Sequence, residues 1–408
     1  MPRAMKNKPK HIELRLMTDP YKILNSVLEN AGVSKTIYSL VLPETEATID
    51  RILDGGVQRD ILAHKLQDIF NAGAPSDPIA LAQQLTQALS TQREIFRDMY
   101  REAWTQKQDV MHEDFFTTWK NWTSPIINAQ WDDFPYMYPT AGASEALREA
   151  INSYATTSHA RAEKPVIHVF IGEYEGFSAY ADAAGIEVQT HSRADWKDAM
   201  SKIGPNEQFY ISQPSAIDGN VWDDFDDFAN ALNTQQPSAE IMLDVTYVGC
   251  VGREFSVNAT HSNIPAVFFS LSKPCGAYYH RIGGMLSKEE YPGLFGNKWF
   301  KNLLALNIGT EIMKNNGVHD LPRKYSATQQ QALAQTNKTL GLNLKASDVY
   351  LLGTTPPSKE PSDLERYLTR GSDGEELVRV CLTPTMSSLI DPNTNSVVRA
   401  RPHEGLKL

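Results

Sequence analysis

Cysteine is scarce: Cys250, Cys275 and Cys381 are the only three in 408 residues. Their spacing is neither that of a disulfide framework nor that of a zinc site, and no metal is expected. No apolar run approaches the roughly 20 residues a membrane-spanning helix needs. The N-terminal stretch also lacks the apolar core of a secretory signal, so the expectation is a cytoplasmic protein. Basic residues are outnumbered, 39 Lys and Arg against 49 Asp and Glu, for a net charge of −10. That balance argues against a nucleic-acid partner, which would need basic surface. Lys6, Lys8 and Lys10 read as a short solvated tail. No Gly-x-Gly-x-x-Gly follows an apolar strand and no Walker phosphate loop is present, so nicotinamide and nucleotide readings lose their main support. Internal repeats are absent.

What is there describes a globular enzyme-sized chain. Hydrophobic residues make up 41% and charged residues 22%. The length allows two domains, since single cores stop growing at roughly 250–300 residues. The first 140 residues read as mostly helical. Within 77–104, Leu81, Leu85, Leu89, Ile95, Phe96, Met99 and Tyr100 recur at helical spacing behind an Asp77-Pro78 start, which predicts a core-packing helix. An aromatic stretch follows, with Trp119, Trp122, Trp131, Phe134, Tyr136 and Tyr138 interrupted by Pro125, Pro135 and Pro139. Prolines at that density predict an irregular segment folded onto something else.

From about 140 to 290 the pattern changes. Short apolar runs at 166–171, 209–212, 241–245 and 266–271 alternate with helix-like segments at 144–153, 176–184 and 222–232. The fold class predicted is α/β, a mostly parallel central sheet flanked by helices. Ligands of such sheets bind beyond the carboxyl ends of the strands, so chemistry should follow the apolar runs. Helical segments return at 299–313 and 327–340. A smaller α+β segment closes the chain, with apolar runs at 349–352 and 378–382.

Four constellations stand where chemistry is expected. Phe268-Phe269-Ser270-Leu271-Ser272-Lys273 ends an apolar strand in two hydroxyls and a lysine, with Arg281 eight residues beyond the lysine. Desolvation there favours a neutral amine and Schiff-base chemistry. Arg281 suits a phosphate through paired hydrogen bonds, with Ser270 as a further donor. Upstream, Ile241-Met242-Leu243-Asp244-Val245-Thr246-Tyr247 delivers a carboxylate to a strand end, with a phenol three residues later. Thr140-Ala141-Gly142-Ala143-Ser144 is a small-residue turn opening into a helix. Unpaired N–H groups there suit a phosphate, although for that segment alone an ordinary start capped by Ser144 is the favoured reading. Finally, Gly172-Glu173-Tyr174 follows a strand and offers an aromatic face for stacking on a planar group.

Taken together and in this order, these residues resemble the fold type I pyridoxal 5′-phosphate (PLP) enzymes of the aspartate-aminotransferase-like (class I/II) branch. The resemblance covers about 140–290 well and the last 40 residues more loosely. It implies that Lys273 holds the cofactor as a Schiff base and shuttles protons. It further implies that Asp244 pairs with the pyridine nitrogen, Tyr247 with the ring oxygen, and that Tyr174 stacks on the ring. Gly142, Ala143, Ser144, Ser270 and Arg281 would hold the phosphate. Arg379, within Glu376-Leu377-Val378-Arg379-Val380-Cys381-Leu382, would grip the substrate's α-carboxylate. The family pattern also divides the chain: 1–135 as an N-terminal helical segment shared with the small domain and dimer contacts, 136–310 as the large cofactor-binding domain, and 311–408 as the small domain.

Two departures from that pattern stand out. The family's Asn-Pro-x-Gly-type segment corresponds to 212–220, where no asparagine stands at the matching place, and Gln213, Ser215 and Asn220 are candidate substitutes. No partner-facing tyrosine before Thr140 can be matched, although Tyr136 and Tyr138 are present. The activity implied is that of an aminotransferase, acting on an L-amino acid through an external aldimine and α-proton abstraction by Lys273. The alternative is β- or γ-elimination, replacement or cyclisation on the same cofactor. A homodimer is implied by the family alone. Trp119, Trp122, Trp131 and Tyr136 are candidates for the substrate pocket, with core packing the commoner fate of such residues.

Overall fold

The structure is a computed structural model that describes residues 42–54, 108–300 and 303–390. Seven strands form the main sheet: β1 Tyr136–Thr140, β2 Val166–Phe170, β3 Glu187–His191, β4 Gln208–Ser212, β5 Glu240–Asp244, β6 Ala266–Ser270 and β7 Gly283–Ser287. Their order across the sheet is β1-β7-β6-β5-β4-β2-β3. β2 to β6 pair in parallel and β7 runs against both its neighbours. The predicted α/β class with a mostly parallel sheet is therefore what the chain adopts.

Both faces of this sheet are covered, which is why its central strands are apolar throughout rather than alternating. One face carries Tyr210, Met242 and Phe268 against helices α3 (Ala143–Ala160) and α4 (Gly176–Ala183), which follow α1 (Pro43–Asp54) and α2 (Gln108–Thr123) along the chain. The other carries Phe209, Leu243 and Phe269 against helices Phe225–Gln235 and Leu303–Asn315, and against Gln108–Thr123. A second, four-stranded antiparallel sheet lies later in the chain, built from Lys345–Ala346, Leu352–Thr355, Thr369–Arg370 and Leu377–Cys381. Its core includes Val349, Tyr350, Val378 and Val380.

The proline-interrupted aromatic stretch is more regular than expected. Trp119 and Trp122 belong to the helix Gln108–Thr123, ahead of the first proline. Tyr136–Thr140 is a sheet strand despite Pro139, because it pairs on one side only and an edge strand tolerates a missing N–H. Trp119 stacks on Phe269 with ring centroids 4.1 Å apart, and the Trp122 indole donates to the Asn316 carbonyl at 2.8 Å. These rings therefore fill core. The helix predicted over 77–104 and the Lys6–Lys8–Lys10 tail lie outside the described residues. Among the described residues, no helix is long and apolar enough to cross a membrane.

Candidate active site

A cavity of about 280 Å³ opens at the carboxyl ends of β4, β5 and β6. It is lined by Ala143, Ser144, Tyr174, Asp244, Tyr247, Ser270, Lys273, Arg281 and Arg379, and Gly142 stands directly behind it. The structure thus brings together the residues that the resemblance assigned to the cofactor and to the substrate's α-carboxylate. They come from four different strand ends, one helix start and the small antiparallel sheet.

Lys273 lies three residues past the end of β6. Burial pulls its ammonium down, while Cys381, Tyr247, Cys250 and Tyr278 pull it up, and the net position is above the ordinary lysine value. Desolvation, the effect expected from the sequence, is the largest single influence on this amine, and the groups around it together offset it. Tyr247 sits in the turn after β5. Burial raises its phenol, opposed by the charges of Lys273 and Arg379, so the three groups share one neighbourhood.

Asp244 is the last residue of β5 and is buried. Its Oδ2 accepts from the Tyr210 hydroxyl at 2.9 Å and its Oδ1 from the Thr246 N–H at 2.8 Å. Burial lifts its pKa above the ordinary carboxylate value, partly offset by hydrogen bonds from Thr246 and Tyr210. Among the described residues no cation pairs with it. A buried carboxylate held only by neutral donors has unmet capacity for a positively charged partner.

On the opposite side of the cavity, the start of α3 meets Arg281. Gly142 takes φ +91°, and a Cβ there would lie 2.9 Å from Arg281 Nη2 and 3.2 Å from Ser270 Oγ. Only glycine fits that approach. Helix α3 has no side-chain cap. Ser144 does not cap it as the plainer reading proposed; its hydroxyl turns instead to the Tyr174 hydroxyl, 3.3 Å away. Arg281 donates to the Ala141 carbonyl at 2.6 Å, and its guanidinium lies 5.1 Å from the Tyr278 ring centre. Uncapped N–H groups, a guanidinium and the Ser270 and Ser272 hydroxyls converge here, which is an anion cradle.

Tyr174 packs across Gly176, where a Cβ would lie 2.3 Å from its ring. Arg379, on the strand Leu377–Cys381, reaches the cavity and donates to the Ala216 carbonyl. None of the candidate substitutes for the missing asparagine lines the cavity. Gln213 exchanges both amide atoms with the Trp222 backbone, Ser215 Oγ accepts from the Ile217 N–H, and Asn220 Oδ1 accepts from the Asp348 N–H. That segment instead presents Ala216 and Ser212. Trp119, Trp122, Trp131 and Tyr136 are also absent from the lining.

Several lining residues escaped sequence reasoning: Tyr210, Ser212, Ala216, Thr246 and Tyr278. Period-two alternation in β4 was the available signal for Tyr210 and Ser212, which share a face. Glu173, buried behind Tyr174, was likewise passed over.

No family model matches the chain, and no curated protein is significantly similar to it. Solved structures do match. A histidinol-phosphate aminotransferase from Clostridium acetobutylicum aligns with TM-score 0.50 at 14% identity, over 72% of this chain and 92% of that one. An aminotransferase from Staphylococcus aureus aligns with TM-score 0.51 at 13% identity, over 69% and 83%. A PLP-bound C-S lyase from Staphylococcus hominis gives 0.50 at 12% identity, over 70% and 81%. The chain has the architecture of the fold type I PLP-dependent enzymes.

Proposed function

We propose that this chain is a PLP-dependent enzyme that acts on an L-amino acid, and that it is an aminotransferase. The observation that carries the reading is one cavity holding Lys273, the unpaired buried carboxylate of Asp244 and the Gly142–Arg281 anion cradle. The residues fit the cofactor. An anion cradle at one end matches a phosphate, a carboxylate with no cation matches a protonated ring nitrogen, and a lysine between them matches an aldehyde.

PLP, when bound, supplies a carbonyl that combines with amines and a ring that accepts electrons from a bond broken at the α-carbon. The chain does the rest. Lys273 would hold the group through Nζ and would move the proton lost from the substrate's α-carbon. Asp244 would keep the ring nitrogen protonated. Gly142, Ala143, Ser144, Ser270 and Arg281 would hold the phosphate, and Tyr174 and Tyr247 would bear on the ring face and ring oxygen. Arg379 would bind the substrate's α-carboxylate. A carboxylate gripped in this way is retained, which favours loss of the α-proton over decarboxylation. The division into segments 1–135, 136–310 and 311–408, a homodimer and a cytoplasmic setting belong to this reading.

The test is the visible absorption of the purified protein with PLP, before and after borohydride, beside Lys273→Ala. We expect a visible band that borohydride fixes to the peptide containing Lys273 and that the variant lacks. A chain that stays colourless with added PLP overturns the reading. Given a coloured protein, pyridoxamine phosphate accumulating with an amino donor supports transamination, whereas a leaving group released without it supports elimination, replacement or cyclisation.

A further inference from the structure

Glu173 is a buried carboxylate, 5% exposed, with no cationic partner among the described residues. It faces the strand ends beside Asp244, and the two carboxylates repel. Its position is held by three donors. Oε1 accepts from the Tyr174 N–H at 2.8 Å and the Ser212 hydroxyl at 2.6 Å, and Oε2 accepts from the Ser212 N–H at 3.2 Å. Ser212 Oγ in turn accepts from the Ala216 N–H at 2.6 Å, and the Ala216 carbonyl accepts from Arg379. The chain of contacts runs unbroken from the loop after β2, across the end of β4, to the small antiparallel sheet. At one end is the Tyr174 ring and at the other is the Arg379 guanidinium, both lining the cavity.

We infer that Glu173 is a positioning residue that sets Tyr174 against the cofactor and, through Ser212 and Ala216, sets Arg379 against the substrate's carboxylate. This rests on the proposed cofactor site. A simpler apolar side chain would fill the same space without burying a charge. A carboxylate is needed because one group must accept three hydrogen bonds from two loops at once.

The two halves of the relay separate by substitution. In Glu173→Gln the amide oxygen keeps the Tyr174 N–H and the Ser212 hydroxyl, while its NH₂ faces the Ser212 N–H, donor against donor. Glu173→Ala removes all three acceptor contacts, and Ser212→Ala cuts only the branch toward Arg379. The full chain is titrated with PLP, read by visible absorption and induced circular dichroism. The loaded protein is then mixed with aminooxyacetate, which carries a carboxylate, and with methoxyamine, which has none.

Wild type should react faster with aminooxyacetate than with methoxyamine. Glu173→Gln and Ser212→Ala should each lose about tenfold of that preference, the size expected when a buried donor is left unpaired, with PLP affinity and dichroism kept. Glu173→Ala should lose the preference and also weaken PLP binding and dichroism. A loaded wild type whose Glu173→Ala and Glu173→Gln variants match it within twofold in affinity, dichroism and probe preference overturns the proposal alone. A wild type that takes up no PLP overturns the functional reading and this proposal with it.

Discussion

At the residue scale, Gly142 is where backbone and chemistry meet most tightly. Its φ of +91° and the 2.9 Å approach of Arg281 leave no room for a side chain. Gly142→Ala should therefore cost about 1–3 kcal/mol of backbone strain and displace Arg281 from the cradle. The expected result is a lower melting temperature and weaker PLP binding, whereas a variant with wild-type PLP affinity would show that the cradle does not hold the phosphate. Arg281→Lys should also weaken PLP binding, because an ammonium cannot reproduce a forked guanidinium contact. Lys273 and Asp244 were legible in the sequence because a charged residue ending an apolar strand is conspicuous. Glu173 and Ala216 were not, because their roles depend on which loops meet in space. The groups that offset the desolvation of Lys273 were hidden for a related reason: Cys250 and Cys381 come close only after folding.

Elements were readable in proportion to their burial. The apolar runs that predicted β2, β4, β5 and β6 fall within a residue of the strands observed, because those strands are covered on both faces. The edge strand β3, Glu187–His191, carries polar residues and gave no apolar run. Neither β1, with its proline, nor β7, with its two leading glycines, resembled a strand in isolation. Strand β6 also anchors the helix Gln108–Thr123, since Phe269 contacts Phe115, Phe116 and Trp119. Lys273 hangs from the end of that strand. Phe269→Ala should cost about 3–5 kcal/mol in denaturant unfolding, as a buried aromatic lost from a packed cluster does. A cost below about 1 kcal/mol would mean that the aromatic cluster does not anchor this strand.

Across the whole molecule, the site depends on segments far apart in sequence, and so does its sensitivity to acid. Helix Pro43–Asp54 touches the lysine loop through the Thr45 hydroxyl, which donates to the Cys275 carbonyl, and Arg379 arrives from the second sheet. Away from the cavity, His168 on β2 bonds His191 on β3 at 2.8 Å and Glu207 at 2.7 Å. Burial pushes the His191 imidazole down to about 4, with repulsion from His168 and Lys202 adding to it. A folded-state pKa below the ordinary histidine value means that the unfolded chain binds this proton more readily. The stabilising contribution is therefore complete above pH 6.5 and is lost as pH falls toward 4. The limiting slope is about 1.4 kcal/mol per pH unit for one proton. Denaturant unfolding at pH 7.5 and pH 5 should show a larger loss for wild type than for His191→Gln, which has no proton to gain. Equal losses would assign the acid sensitivity to other groups, with the buried carboxyls excluded by sign: the raised pKa of Asp244 and Glu173 makes their ionisation a cost that acid relieves.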